Sequence, residues 1–200
     1  MKFSVIMSVW QPWEDTRRAI ASLIAQTHQD WELILVSDGD PSPVVDVFLR
    51  VFEHFPDKRV ELICSPRVEG IWGNRARRLG LDYCTGDYVC WVNHDNIVFP
   101  DYLASHARNI EKSPGCLSVV NIECWVRSRY YGRFPFGEPR LTKIDLMNFA
   151  MPLEIARQVD AFGPAMEHIH HADWLTYEAA SKLIPVERVP EDSVSVGIHL

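Results

Sequence analysis

The sequence predicts an α/β chain built on a mostly parallel, doubly wound sheet with helices on both faces. Three observations carry this expectation. Apolar β-type runs alternate with helical stretches through the first half of the chain. The runs at Phe3–Val9, Trp31–Ser37 and Tyr88–Val92 are nearly continuous in apolar residues, as strands covered on both faces require. Polar side chains then arrive together where these runs stop: Asp38-Gly39 after the second and Asn93-His94-Asp95-Asn96 after the third. In open α/β sheets, ligands bind outside the carboxyl ends of the strands.

The elements follow in order. A strand over 3–9 leads through Gln11-Pro12 into a helix near 13–26, where Ile20, Leu23 and Ile24 give an apolar stripe at helical spacing. A strand over 31–37 stops at Asp38-Gly-Asp-Pro-Ser-Pro43, which contains two prolines and a glycine. A helix near 44–55 carries Val44, Val47, Phe48, Val51 and Phe55 on one side. A strand over 59–64, a helix near 72–84 and a strand over 87–92 come next. Pro100 then starts a helix over 100–112.

The second half breaks the rhythm. Residues 116–126 read as one strand-like run. Residues 127–142 are rich in arginine, aromatics, Gly and Pro, so a long loop is expected, of the kind that is often functional or mobile. A short strand near 147–151, helices near 152–160 and 172–183, and strands near 184–189 and 193–199 complete the chain.

Composition sets outer limits. The 200 residues suit one domain with a sizeable core, and 47% hydrophobic content argues against disorder. A net charge of −7 disfavours a broad basic surface for nucleic acid. The five cysteines are odd in number and none forms Cys-x-x-Cys, so free thiols in a reducing compartment are expected rather than a disulfide frame or a zinc site. No signal peptide, lipidation motif or long apolar span is visible, so the expectation is a soluble cytoplasmic chain without an integral membrane segment.

Five motifs occur in a fixed order: Val5-Ile-Met-Ser-Val-Trp10, Val36-Ser-Asp-Gly39, Gly73-Asn-Arg-Ala-Arg-Arg-Leu-Gly80, Thr85-Gly-Asp-Tyr88 and Asn93-His-Asp-Asn96. In this order and spacing the chain resembles the family 2 glycosyltransferases of the GT-A fold, best over residues 3–112. The resemblance implies one GT-A domain over 1–200, with a nucleotide-sugar-binding half at 1–112 and an acceptor-binding half at 113–200. It further implies transfer from a nucleotide-diphosphate sugar, foremost a UDP-sugar, to an acceptor hydroxyl with inversion, assisted by Mn²⁺ or Mg²⁺.

The same resemblance implies roles for individual residues. Val9 and Trp10 end the first strand, and Trp10 stands where an aromatic borders the base. Asp38 stands where a carboxylate accepts the ring N–H of a uracil; otherwise it is a turn-starting Asp ahead of Gly39. Asn74 and Arg77 open the helix, from which an arginine reaches phosphate oxygens; otherwise Arg77 shares a solvated face with Arg75 and Arg78. The metal motif Asp-x-Asp appears as Asn93-His94-Asp95, with the second acid kept and the first replaced by an amide. Hard divalent cations use one or two carboxylates plus diphosphate oxygens, so Asp95 is the expected ligand. His94 would suit a softer ion such as Mn²⁺, bond a phosphate, or only pack. His199 stands where some GT-A enzymes supply a late histidine to the metal.

The stretch Glu167-His-Ile-His-His-Ala-Asp-Trp174 approaches the His-x-His-x-Asp-His pattern of metallohydrolases, but the Asp falls one position late. The resemblance instead makes Asp173 the general base, with a helix N-cap as the structural alternative. Tyr130, Tyr131, His170, His171 and Trp174 are then candidates to contact the acceptor. Three rival readings stand beside this one. The first is a sugar-nucleotide-binding protein without catalysis. The second is a metallohydrolase using 168–173. The third is a transferase whose acceptor is a nucleic-acid base, for which Arg127, Arg129, Arg133 and Arg140 speak.

Overall fold

The computed structural model describes the chain except residues 10–12, 39–48, 51–52, 54–56, 66–72, 127–128, 136–138, 142, 167, 191–192 and 200, and except the side chains of Trp13, Ser65, Val126 and His199. Strand β1 (Phe3–Val9) is buried along its whole length. Helix α1 (Trp13–Ile24) returns over it, burying Ala19, Ile20 and Leu23, and β2 (Trp31–Asp38) pairs parallel to β1. Strand β3 (Val60–Ser65) extends the sheet beyond β2, also in parallel. Helix α2 (Asn74–Gly80) leads to β4 (Tyr88–Trp91), which pairs parallel to the other side of β1.

Four parallel strands therefore come from the first half, as the apolar runs require. The predicted helix near 44–55 falls mostly outside the described residues; residues 49, 50 and 53 are helical.

After β4 come the short strand β5 (Ile97–Val98), helix α3 (Tyr102–Lys112), β6 (Leu117–Val119), β7 (Ile122–Val126) and β8 (Arg129–Phe134). A 3₁₀ turn at Leu146–Asn148 enters β9 (Phe149–Pro152), and α4 (Leu153–Gln158), α5 (Ala172–Ser181), β10 (Val186–Arg188) and β11 (Gly197–His199) follow. The central sheet has seven strands in the order β10-β6-β9-β4-β1-β2-β3, and β9 alone runs antiparallel. A second sheet is ordered β5-β11-β7-β8. Strands of the first and second halves thus share one central sheet.

Three expectations are corrected here. The run 116–126 is two strands in different sheets. The chain breaks at Val120-Asn121, where the Val120 N–H donates to the Asn148 carbonyl at 2.8 Å and the Asn121 carbonyl accepts from Val196 N–H at 2.8 Å. The stretch 127–142 is not one long loop, because 129–134 pairs antiparallel with β7, with a bulge at Cys124/Trp125. Its arginines and tyrosines fit an edge strand: Arg129, Tyr130 and Tyr131 are exposed. The helix expected over 72–84 is shorter, because Gly73 caps it in the left-handed region and the helix stops at Gly80.

The core under the carboxyl end of the sheet is aromatic. The Trp91 ring lies 5.7 Å from Phe149 and 5.2 Å from Phe162, and all three are buried. Offset and edge-on pairs of this kind add about 0.5–1.5 kcal/mol each beyond the area they bury. Among the described residues no helix is long and apolar enough to cross a membrane. All five cysteines are free; four are buried and Cys64 is exposed.

Candidate active site

The site grows from the approach of α2 to the carboxyl ends of β1 and β4. Gly73 has φ 75°, a conformation that L side chains rarely adopt, and a Cβ there would sit 2.9 Å from Ser8 Oγ. At the far end of α2, a Cβ on Gly80 would meet Ile6 Cγ2 at 2.7 Å. The two glycines let a seven-residue helix lie directly on the sheet, and this delivers Arg77 to the end of β4.

Arg77 is the centre of the arrangement. Its Nη1 donates to Asn74 Oδ1 at 3.0 Å and its Nη2 to Asn93 Oδ1 at 2.9 Å. The guanidinium carbon stands 5.5 Å from the centre of the Phe162 ring. Burial lowers the Arg77 pKa, opposed by the carboxylates of Asp145, Asp173, Asp38 and Asp95. One cation therefore serves four acids drawn from β2, the turn after β4, the 3₁₀ entrance to β9 and the start of α5. A solvated helix face is not what the structure shows for Arg77; Arg75, two residues earlier, is exposed.

Asn74 is buried and its amide turns inward. Its Nδ2 donates to the carbonyls of Met166 and Ile169, both at 3.2 Å. It therefore ties α2 to the segment that precedes α5, and meets the site through Arg77. Asp38 ends β2 opposite Ser65 of β3 and is half-buried. Val9 is buried, so its side chain belongs to the core. Trp10 lies outside the described residues.

Residues 93–96 form a tight turn, with the Asn96 N–H donating to the Asn93 carbonyl at 3.1 Å. Asn96 is fully buried and donates to the Met147 thioether, which fixes the turn against the 3₁₀ element. Within the turn, His94 is held near its neutral form by burial, opposed by Asp95 and Asp15, and its ring bonds the Ser8 backbone. Packing against β1 therefore engages His94. Asp95 is half-buried, and no described residue makes a hydrogen bond to its carboxylate. The Asn93 amide oxygen already accepts from Arg77. Among the described residues no group of three His, Cys, Asp or Glu side chains could hold a metal, and the side chain of His199 is outside that set. The donor chemistry at 93–95 fits a hard cation held by one carboxylate, Asp95, with further oxygens from a diphosphate.

Asp173 occupies the second position of α5, not its cap; His171 is the N-cap and makes no side-chain capping bond. The Asp173 carboxylate accepts from Trp174 N–H at 2.8 Å. Burial and the neighbouring Asp145 push its pKa up to about 6. A carboxylate near that value can take a proton at neutral pH.

The histidines beside it do not gather into a metal centre. His168 and His170 are exposed, and the His170 and His171 rings meet edge-on at 4.9 Å. The Trp174 ring packs at a tilt against Tyr177 within α5, with centroids 5.8 Å apart. Tyr130 packs edge-on against Trp125 at 5.4 Å, on the second sheet, and Tyr131 is 72% exposed.

Two participants were not foreseen from the sequence. Asp145 caps the 3₁₀ turn: its Oδ1 accepts from Met147 N–H at 2.9 Å while its own N–H donates to Asn148 Oδ1 at 2.8 Å. The Asp-x-x-Asn spacing ahead of an apolar run is a capping signal that could have located it. Phe162 belongs to a turn with no periodic signal.

Residues 4–158 match the profile of glycosyl transferase family 2. The chain belongs to glycosyl transferase family 2. Among its relatives, an Escherichia coli UDP-Glc:alpha-D-GlcNAc-diphosphoundecaprenol beta-1,3-glucosyltransferase, WfgD, is 32% identical over 131 residues, covering 66% of this chain and 49% of the relative. A Haemophilus influenzae glycosyltransferase of uncharacterised reaction is 35% identical over 117 residues, 57% of this chain and 42% of the relative. The chain thus spans less than half the length of these two relatives.

Staphylococcus aureus TarS 1–349 in complex with UDP superposes with a TM-score of 0.78 at 15% identity, over 100% of this chain and 60% of that one. The mannosyltransferase PcManGT of Pyrobaculum calidifontis, solved with GDP-Man and Mn²⁺, gives 0.72 at 16% identity, over 98% and 56%. The fold is of the GT-A type.

Proposed function

We propose that this chain is a glycosyltransferase that moves a sugar from a nucleotide-diphosphate sugar, with uridine diphosphate as the foremost carrier, to an acceptor hydroxyl with inversion. The observation that carries the reading is Arg77, a cation fixed at the carboxyl end of β4 among Asp38, Asp95, Asp145 and Asp173. Arg77 offsets charge that develops on the leaving diphosphate. Asp38 contacts the base, and Asp95 holds Mn²⁺ or Mg²⁺. When bound, that ion supplies Lewis-acid neutralisation of the diphosphate. Asp173 takes the proton of the acceptor hydroxyl as its oxygen attacks the anomeric carbon and the diphosphate leaves. Its raised pKa supports this role.

Residues 1–112 form the donor half and 113–200 the acceptor half, with His170, His171, Trp174, Tyr130 and Tyr131 as acceptor contacts. The acceptor is a glycan or another hydroxyl-bearing molecule. A cytoplasmic place of action accords with five free thiols.

A second reading, donor binding without transfer, is favoured by one observation: Asn93 replaces an acid and its carbonyl oxygen is engaged by Arg77. A thermal-shift screen of UDP- and GDP-sugars with and without Mn²⁺, followed by donor-hydrolysis assays, separates the two. Stabilisation with hydrolysis supports transfer. Stabilisation without hydrolysis at excess Mn²⁺ supports binding alone. No stabilisation by any nucleotide sugar sinks both.

A further inference from the structure

The turn between α4 and α5 has a backbone that its residues do not favour. Asp160 has φ 49° and Phe162 has φ 57°. Asp visits the left-handed region at modest cost, but a bulky aromatic there is a true outlier. Three contacts hold the turn in place. The Gly163 N–H donates to the Asp160 carbonyl at 2.7 Å. Arg78 Nε donates to Asp160 Oδ1 at 2.6 Å from outside. The Phe162 N–H approaches Thr176 Oγ1 of α5 at 3.4 Å, one turn beyond Asp173. Gly163 leaves no room for a side chain, since a Cβ there would lie 1.9 Å from Asp160 Oδ2.

This strained backbone drives the Phe162 ring inward. The ring is 1% exposed and meets Trp91, the last residue of β4, edge-on at 5.2 Å. Arg77 stands over it. Consecutive arginines of α2 thus grip the turn from two sides: Arg78 holds its start at Asp160, and Arg77 rests on its aromatic end.

We propose that Phe162 is a positioning residue of the donor site: held under Arg77 by the strained 160–163 turn, it presets the guanidinium for the diphosphate of the donor. The proposal rests on the reading of Arg77 as a diphosphate contact. A ring face attracts a cation within about 6 Å, and the attraction grows where water is excluded. Asn74 and Asn93 fix two nitrogens of Arg77 in direction, and the guanidinium carbon between them lies over the ring at 5.5 Å. No other part of the mechanism uses Phe162.

The test is calorimetry with whichever of UDP and GDP the wild-type chain binds more tightly, alongside its phosphate-free nucleoside. Phe162→Leu keeps an apolar filling but removes the ring face; Phe162→Met serves if the leucine variant does not fold. The expected result is about 3- to 30-fold weaker binding of the diphosphate with nucleoside affinity unchanged. Arg77→Lys should also weaken the diphosphate, and the double variant should be no weaker than Arg77→Lys alone, since both act through one contact. Equal weakening of the nucleoside, or losses that multiply in the double variant, would overturn the positioning role while leaving the Arg77 assignment standing. An Arg77→Lys variant that binds the diphosphate like wild type would overturn that assignment, and this proposal with it.

Discussion

At the amino end of the central sheet Glu32 sits among Lys2, Ser4 and Thr85, whereas at the carboxyl end Asp173 shares one half-buried cation with three other carboxylates. Glu32 accepts from Lys2 Nζ, from Ser4 Oγ and Thr85 N–H at 2.6 Å, and from Thr85 Oγ1 at 2.8 Å. Burial opposes its charge, yet these bonds outweigh burial and hold the carboxyl below its usual range. Asp173 has the reverse balance, with burial and Asp145 raising it more than backbone bonds at Trp174 and Asp173 and the charge of Arg77 lower it. Both acids are partly buried and both touch a cation's field. One is satisfied, and so structural. The other is kept short of partners, and perturbed acids in a cleft are where chemistry is expected.

The largest break in that comparison should come from Asp173→Asn. The amide fits the same space but does not accept a proton near neutral pH. Turnover should fall about 100- to 10,000-fold with donor affinity nearly unchanged. In the wild-type chain, turnover should decline as pH falls through about 6, because the protonated acid cannot act as a base. A transfer assay and parallel donor titration decide it. Transfer within a few-fold of wild type would move the base role to the histidines nearby.

Asp95→Ala should cost less. It removes the one carboxylate of the 93–95 turn, so the Mn²⁺-dependent part of diphosphate affinity should be lost, by at least about tenfold. The part carried by Arg77 should remain. Titrating UDP or GDP with Mn²⁺ and with EDTA separates the two parts. A mutant that keeps its full response to Mn²⁺ takes Asp95 out of the metal site.

The same contrast explains what could be read from the chain. Strands β1, β2 and β4 are buried on both faces, so each shows as a continuous apolar run, and their ends mark Asp38 and Asp95 directly. The second half is decided by long-range pairing. Val120-Asn121 turns from one sheet to the other because Asn148 and Val196 accept and donate there, and nothing in 116–126 itself announces the break. Residues 129–134 lack an apolar face because they form a sheet edge, so composition reads them as loop. The family pattern singled out Asp173, and a short capping spacing marks Asp145, whereas Phe162 leaves no signal. The roles of Asp145 and Phe162 follow from a capped 3₁₀ turn and a left-handed turn, which leave no period in the sequence.

At the amino end, Glu32→Gln should lower stability by about 1–3 kcal/mol, the usual cost of weakening hydrogen bonds to a partly buried charge, and leave turnover as it is. The sign with pH follows from its depressed pKa. Glu32 contributes stability above the ordinary carboxylate value of 4.5, and the contribution is lost as pH falls through its lower folded value. Urea melts at pH 7 and in strong acid should therefore show the variant's deficit only at the higher pH. A loss of turnover without a loss of stability would mean that the two ends are coupled.

The smallest effect is the most discriminating, because it runs against the usual direction of mutation. The folded pKa of Asp173 is about 6, above its ordinary 3.8, so the folded chain binds this proton more tightly than the unfolded chain does. Holding the charge costs stability at pH 7; the cost fades as pH falls below about 6 and is gone below 3.8. Asp173→Asn removes the charge and can still accept from the Trp174 N–H. The ligand-free variant should therefore be more stable than wild type at pH 7, by about 1 kcal/mol after allowing for solvent screening of a half-buried group. At pH 4 the gain should have nearly vanished. Urea melts of both proteins at the two pH values measure this directly. A variant that is less stable at pH 7, or that differs equally at both, would show Asp173 to be as well satisfied as Glu32, and the contrast between the two ends of the sheet would fail.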